Sequence, residues 1–295
     1  VTKRANAVQL LRVPYDSGRA EARMGAGPSA LTRAGAGDRL RARGHSVCEQ
    51  QLDPTPEWRA ELKTAFELHR QIAAAARSAH HEGRVPLLLS GNCSGTIGML
   101  AALSAATSRR VGLVWLDAHG DFNTPDTDPY GFLDGQGLAM VVGRCWRTLT
   151  ATVPGFTPLP ERAVVLAGAR DVDDQEAPAL RDSGITWLDP SQVRDMPTVQ
   201  EAVQRLADVA DVVHVHVDLD VHDPTIAPAN GFAAPNGLTA NEVHEVIRQL
   251  AESVPIASGT LASYDPSYDP AGRMRDIALD LLALIAELTT TTART

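Results

Sequence analysis

The chain has 295 residues, 44% of them hydrophobic and 21% charged, the composition of a soluble globular protein. Its net charge of −9 excludes the basic footprint that nucleic acid or an anionic membrane surface requires. Three cysteines are too few, and odd in number, for a disulfide framework, and they point to a reducing, cytoplasmic setting.

Lys3 and Arg4 have no apolar stretch behind them, so no signal peptide is read. No apolar run approaches the roughly 20 residues of a membrane span. In chain order, short β-rich apolar runs alternate with longer helical patterns. Strands are predicted at residues 8–13, 85–89, 111–116, 163–167, 185–188, 212–217 and 256–262. Several are apolar throughout, as strands covered on both faces must be. Helices are predicted at 57–82, 94–106, 198–209, 239–253 and 274–289. Thr198 with Glu201, and Thr239 with Glu242, have capping-box spacing. Strand–helix alternation predicts right-handed crossovers and a parallel sheet between helical layers. No long linker divides the chain, so one domain spanning 1–295 is expected.

In such sheets a site forms at the carboxyl ends of the strands. The run 111–116 leads into Asp117-Ala118-His119-Gly120-Asp121. If the extended form persists, alternation points all three polar side chains the same way. The run 212–217 leads into Asp218-Leu219-Asp220, with Asp223-Pro224 just after. A lone Asp in such a place is usually a turn or cap residue. Four carboxylates and an imidazole at the ends of two buried strands would repel one another unless neutralised. They suit hard or borderline divalent ions, Mn²⁺ above all. Bridging carboxylates would hold two ions roughly 3.5–4 Å apart, as in two-metal hydrolases.

These segments resemble the ureohydrolase family of arginases and agmatinases. Its D-A-H-x-D motif is matched by Asp117, His119 and Asp121, and its D-x-D-x-x-D-P motif by Asp218, Asp220, Asp223 and Pro224. Its N-terminal G-P pattern is approximated by Met24-Gly25-Ala26-Gly27-Pro28. The resemblance runs from about residue 24 to residue 270. It implies a three-layer α/β/α sandwich with a mostly parallel sheet of about eight strands. It also implies two Mn²⁺ ions, an activated water that attacks a guanidinium carbon, and assembly as a homo-oligomer, a trimer or hexamer. By that resemblance Asp117 and Asp218 bridge both ions, Asp121 binds the first, and His119 and Asp220 bind the second.

The departures from the family are informative. Where the family has G-D-H-S, with His on the first metal, this chain has Gly91-Asn92-Cys93-Ser94. Cys93 at a helix N-terminus beside a cation would be a thiolate ligand, with a preference for softer ions; the alternative is an inert buried cysteine. Cys48 and Cys145 have no such context and read as structural. In the family's catalytic His slot stands Asp134, which could shuttle a proton, bind the substrate cation, or simply start a helix. At the position of the Glu that grips the guanidinium stands Ser263, followed by Tyr264-Asp265-Pro266, so one anionic partner is lost unless Asp265 compensates. Phe122-Asn123-Thr124 resembles the arginase D-I-N-T, which implies that Asn123 meets an α-carboxylate. Residues 169–176 resemble the arginase R-D-V-D-x-x-E, which implies that Asp173 and Glu176 hold an α-ammonium; otherwise they are an acidic cap on a helix over 174–182.

The expected activity is hydrolysis of a guanidino C–N bond in a small amino-acid-like substrate. With its cysteine the chain resembles the cysteine-bearing branch of the family, which includes the Nω-hydroxy-L-arginine hydrolase of D-cycloserine biosynthesis. N-hydroxylation makes the guanidine less basic, which suits Ser263. The alternatives are another guanidino or amidino metabolite, a catalytically impaired metal-binding relative, and an amide hydrolase of the deacetylase kind.

Overall fold

The computed structural model describes residues 6–54 and 60–289. Eight strands form one parallel sheet: β1 (Ala7–Val13), β4 (Ser46–Gln51), β5 (Val85–Ser90), β6 (Val111–Leu116), β7 (Val164–Ala167), β8 (Thr186–Leu188), β9 (Val212–Asp218) and β10 (Ile256–Ala262). A two-stranded hairpin, β2 (Tyr15–Asp16) with β3 (Arg19–Ala20), lies apart from it. The order in the sheet is β4-β1-β5-β10-β9-β6-β7-β8. The expected α/β/α sandwich with eight parallel strands is thus the observed fold.

The central strands β5, β10, β9 and β6 are buried along their whole length, which is why their sequences are apolar rather than alternating. Alternation still decides which layer each side chain joins. Val114 and Leu116 of β6 pack into the layer that holds helices Gly27–Arg33, Ala36–Ala42, Met196–Val209, Ala240–Ser253 and Arg273–Leu288. Leu113 and Trp115 face the layer built from helices Glu61–His81, Thr96–Ala106 and Gly137–Val141.

Several boundaries move. The strand over 46–51 was not expected: its residues are polar and largely exposed, as an edge position permits. Cys48 lies exposed on it, whereas Cys145 is buried. The predicted helix over 57–82 is seen as Glu61–His81, and its expected start lies outside the described residues. The helix expected from Thr198 begins at Met196, with Asp195 as its N-cap and a proline in its first turn. Thr198 donates to Asp195 instead of forming the predicted box. The Thr239–Glu242 capping box forms as read.

β9 and β10 lie between β5 and β6 in the sheet although they follow both in the chain. This rearranged order brings the carboxyl ends of β5, β10, β9 and β6 side by side, at the kind of place where open α/β sheets bind ligands.

Candidate active site

Each of these four strand ends delivers one polar group: Cys93 after β5, Ser263 after β10, Asp218 at the end of β9 and Asp117 after β6. Cys93 opens a helical turn whose approach is set by Gly91, where a Cβ would lie 2.2 Å from the Tyr15 carbonyl oxygen. The Cys93 Sγ donates to Asp218 Oδ2 at 3.0 Å and lies 3.2 Å from Ser263 Oγ. Asp117 is held from two sides: the Trp115 indole donates to Oδ2 at 2.9 Å and the His119 amide to Oδ1 at 2.8 Å. Asp220 donates its amide to Asp218 Oδ1 at 2.8 Å and accepts from Asn230 Nδ2 at 3.1 Å.

The extended form does not persist from Asp117 to Asp121. Asp121 has φ 48°, and Ser263 has φ 64°. Left-handed backbone is costly for such residues and concentrates where a site requires it. The turn at Asp121 therefore aims its carboxylate by strain and not by strand alternation. The tight path at Gly120 is needed as well, since a Cβ there would meet the Glu176 carboxylate at 2.5 Å.

Among the described residues, two groups of potential metal donors have atoms within 4.8 Å of one another: Asp117 with His119 and Asp220, and Cys93 with Asp117 and His216. His119 Nδ1 is 3.3 Å from Asp117 Oδ1 and 3.5 Å from Asp220 Oδ2. Asp117 belongs to both groups, as a bridging ligand would.

A cavity of about 510 Å³ opens above these groups. Every sequence-predicted site residue lines it except Asp117, which is buried. Asp121, Asp128, Asp134, Asp171, Asp173, Glu176, Asp218 and Asp220 are among its walls, and among the described residues no Lys or Arg is. Burial, then neighbouring carboxylates, push Asp121 and Asp218 well above the usual carboxyl range. Burial raises Asp117 as well. On His119 burial opposes the charge, but Asp220, Asp117 and Asp218 outweigh it and push the imidazole up to about 10. Burial, with Asp218 and Asp134 close by, also pushes the Cys93 thiol up, so the helix N-terminus alone does not make it a thiolate. Such a cavity fits divalent cations, which supply the missing positive charge and reverse this pKa logic.

The remaining predicted residues have defined places. Asp134 accepts from Asn92 Nδ2 at 2.9 Å and from the amides of Cys93 and Ser94 at 3.0 Å each, so it fixes the turn that carries the thiol. Burial raises it to about 6 despite those bonds. Asn123 Nδ2 donates to Asp173 Oδ2 at 2.9 Å. Glu176 accepts from the amides of Phe122 and Asp173, and burial raises it to about 7. It precedes a short helix, Ala177–Arg181, in place of the one expected over 174–182. Asp265 caps the turn Pro266–Tyr268 through Ser267 and does not line the cavity, so it does not replace the lost anionic partner.

Other residues were not anticipated. Asn230 is buried and joins Asp220 to the Ser263 carbonyl. The Arg170 guanidinium ties the carbonyls of Gly168, Asp220, Val221 and Ala234 together beneath the site. Phe132 and Phe232 stack at 5.4 Å on the cavity wall, with the Arg23 guanidinium 5.8 and 5.5 Å from their centroids. These contacts join distant loops, and neither residue type nor spacing marks them in the sequence.

The raised carboxyls give a pH test of cation binding. Each binds its proton more tightly folded than unfolded, so its stabilising contribution is full below the ordinary carboxyl value and lost as pH rises through the folded one. For Asp134 that window runs from 3.8 to about 6, and for Glu176 from 4.5 to about 7. Bound cations remove much of this penalty. The Tm gain on adding Mn²⁺ to metal-depleted protein is expected to grow between about pH 5 and about pH 8. A gain that is constant or shrinks over that range would contradict cation binding here.

The fold and the paired strand-end motifs define a metal-dependent ureohydrolase. A model of the arginase family matches residues 6–287, and the chain belongs to that family. It is 32% identical to an arginase of Bacillus caldovelox over 93% of this chain and 96% of that protein. A native crystal structure of the Bacillus caldovelox arginase superposes with a TM-score of 0.86 at 29% identity, covering 98% of this chain and all of that one. A Bacillus cereus arginase structure gives 0.84 at 28% identity, with 98% and 100% coverage.

Proposed function

We propose that this chain hydrolyses the guanidino C–N bond of an α-amino-acid substrate, Nω-hydroxy-L-arginine, to ornithine and hydroxyurea. The observation that carries the reading is the cavity itself: eight carboxylates line it, with no basic side chain other than an imidazole and with the uncharged Ser263 among them. Such a cavity takes up cations, some as metal ions and some as charged substrate groups. Asp117, His119, Asp121, Asp218, Asp220 and Cys93 would hold two divalent ions, Mn²⁺ being the family's metal. When bound, the ions supply Lewis acidity and lower the pKa of water to near neutrality.

The chain's own residues bind and orient the substrate. Asp173 and Glu176 attract an α-ammonium at one side of the cavity. Asn123 spends one amide hydrogen on Asp173 and keeps the second for the α-carboxylate. Ser263 presents a hydroxyl where a full guanidinium would need a charge, which favours the less basic N-hydroxyguanidine. Asp134, at about 6, holds or releases a proton near neutral pH through the lone pairs its three hydrogen bonds leave free. We further propose that the chain acts as one arginase-like unit in the cytoplasm, as a homo-oligomer, with a small guanidino compound and neither nucleic acid nor membrane as its partner. No helix among the described residues is long and apolar enough to cross a membrane.

The reading is tested by turnover of four substrates with Mn²⁺-loaded protein: L-arginine, Nω-hydroxy-L-arginine, agmatine and guanidinobutyrate. Hydroxyarginine is expected to lead. Agmatine in the lead would select an agmatinase-like reading, and no turnover of any would select a catalytically impaired relative.

A further inference from the structure

Among the described residues three large hydrophobic side chains are exposed: Tyr130, Phe232 and Tyr268. Such residues are ordinarily scattered over a surface, but these three gather at one place. Tyr130 and Phe232 line the cavity, and a Cβ on its Gly231 would lie 2.7 Å from the Tyr268 hydroxyl oxygen. The burial of the other walls shows which end of the cavity this is. Cys93, Asp218, Asp220 and Ser263 are almost fully buried and form the floor, whereas Asp173 is exposed and, with the aromatic rings, marks the mouth.

The rings at the mouth are held from two sides. Phe132 stacks on Phe232 at an interplanar angle of 27°. The Arg23 guanidinium stands over both, within the roughly 6 Å at which a ring attracts a cation. Arg23 is itself pinned, with Nε 2.9 Å from Oδ2 of the buried Asp16. That oxygen accepts no hydrogen bond, so the pairing is ionic. The backbone of Arg23 is left-handed, φ 47°, a strained conformation that a fixed side chain has to offset. Phe232 is tied to the floor: its amide donates to Asn230 Oδ1 at 2.8 Å, and Asn230 Nδ2 donates to Asp220 and to the Ser263 carbonyl. Core packing alone does not account for Phe232, since a ring 45% exposed gains only part of the benefit of burial.

Resting on the reading that an α-amino-acid guanidino substrate sits with its amino-acid end at the mouth, we propose that Phe132 and Phe232, latched by Arg23, are the specificity-determining rim of this cavity. The rim passes a free α-amino acid and rejects one whose α-amine or α-carboxylate is joined to a further group, as in a peptide. A loose loop would yield to the extra bulk. A stacked pair tied to Asp16 on one side and to the cavity floor on the other does not. Arg23 is a positioning residue here, acting through the two rings.

The test compares kcat/KM for Nω-hydroxy-L-arginine and its Nα-acetyl derivative on Mn²⁺-loaded protein. Loss of the ammonium weakens the acetyl compound in every variant alike, so a change in the ratio reports the rim. Phe232→Ala and Phe132→Ala are expected to move the ratio toward the acetyl compound by at least about tenfold, the scale on which one misfitting group is discriminated in a closed pocket. Arg23→Gln should move it the same way, and Arg23→Lys, which keeps the cation, should move it less. Should the alanine variants fail to fold, Phe232→Leu takes their place. An active enzyme whose ratio these variants leave unchanged overturns the inference. A second measurement needs no turnover: Cys93, on the floor, is labelled in metal-depleted Cys48→Ser protein by methyl and by benzyl methanethiosulfonate. The rim variants should speed benzyl labelling by a similar factor and leave methyl labelling unchanged. That pattern in a protein that turns over no amino acid overturns the substrate reading and supports the rim as a size filter. Benzyl labelling that no variant alters overturns the rim.

Discussion

Replacement of Asp117 by alanine or asparagine is expected to lower kcat/KM by about a thousandfold or more. Asp117 is the one residue common to both donor groups, so its loss weakens both ion positions at once. A bound divalent ion is worth several kcal/mol of transition-state stabilisation, and each ~1.4 kcal/mol is tenfold in rate. Alanine also leaves the Trp115 indole and the His119 amide without their acceptor. Asparagine keeps an oxygen for the His119 amide, so Asp117→Asn separates loss of charge from loss of structure. Metal content by elemental analysis should fall in parallel with turnover. An Asp117→Asn protein that kept both ions and activity within about tenfold of wild type would remove Asp117 from the bridging role.

The second large effect concerns substrate choice. Ser263→Glu is expected to shift the ratio of kcat/KM for L-arginine over Nω-hydroxy-L-arginine by about tenfold or more toward arginine. Hydrogen bonds to a charged group contribute about 1.5–3 kcal/mol, and this one would form only with the fully charged guanidinium. Ser263 is buried beside the Cys93 sulfur, and its backbone is already left-handed, so the longer side chain has to extend into the cavity. Ser263→Gln is the control for size, since it fills the same space without charge. A shift that Gln reproduces in full would make the effect steric. No shift with Glu would detach Ser263 from substrate discrimination.

Much of the site could be read from the chain because its ligands follow buried strands directly. The apolar runs of β6 and β9 end in Asp117 and Asp218, and nothing but chemistry explains so many ionisable groups there. The sheet was legible for the same reason, through strands apolar on both faces. The edge strand β4 was not, because its polar residues read like a loop. Asp121 was found by motif, yet strand alternation gave the wrong account of its direction, since a left-handed turn aims it. Asp265 looked like a spare anion and proves to be a cap. His216 gave no signal at all: in Val-His-Val-His-Val a histidine reads as one more core residue, and only the fold sets its ring beside Cys93 and Asp117. Asn230 and Arg170 act through loop carbonyls and carboxylates that meet only in three dimensions.

The central claim is that this cavity binds an α-amino-acid guanidino substrate, with Asn123, Asp173 and Glu176 holding its amino-acid end. The most direct measurement compares kcat/KM for Nω-hydroxy-L-arginine and agmatine on the same Mn²⁺-loaded protein, with metal-depleted protein as the blank. Contacts remote from the reacting carbon are used to orient it, so agmatine, which lacks the α-carboxylate that Asn123 meets, should fall at least about tenfold behind, the scale of one charged hydrogen bond. Agmatine turned over as efficiently as hydroxyarginine, or equal turnover by the metal-depleted blank, would contradict the account.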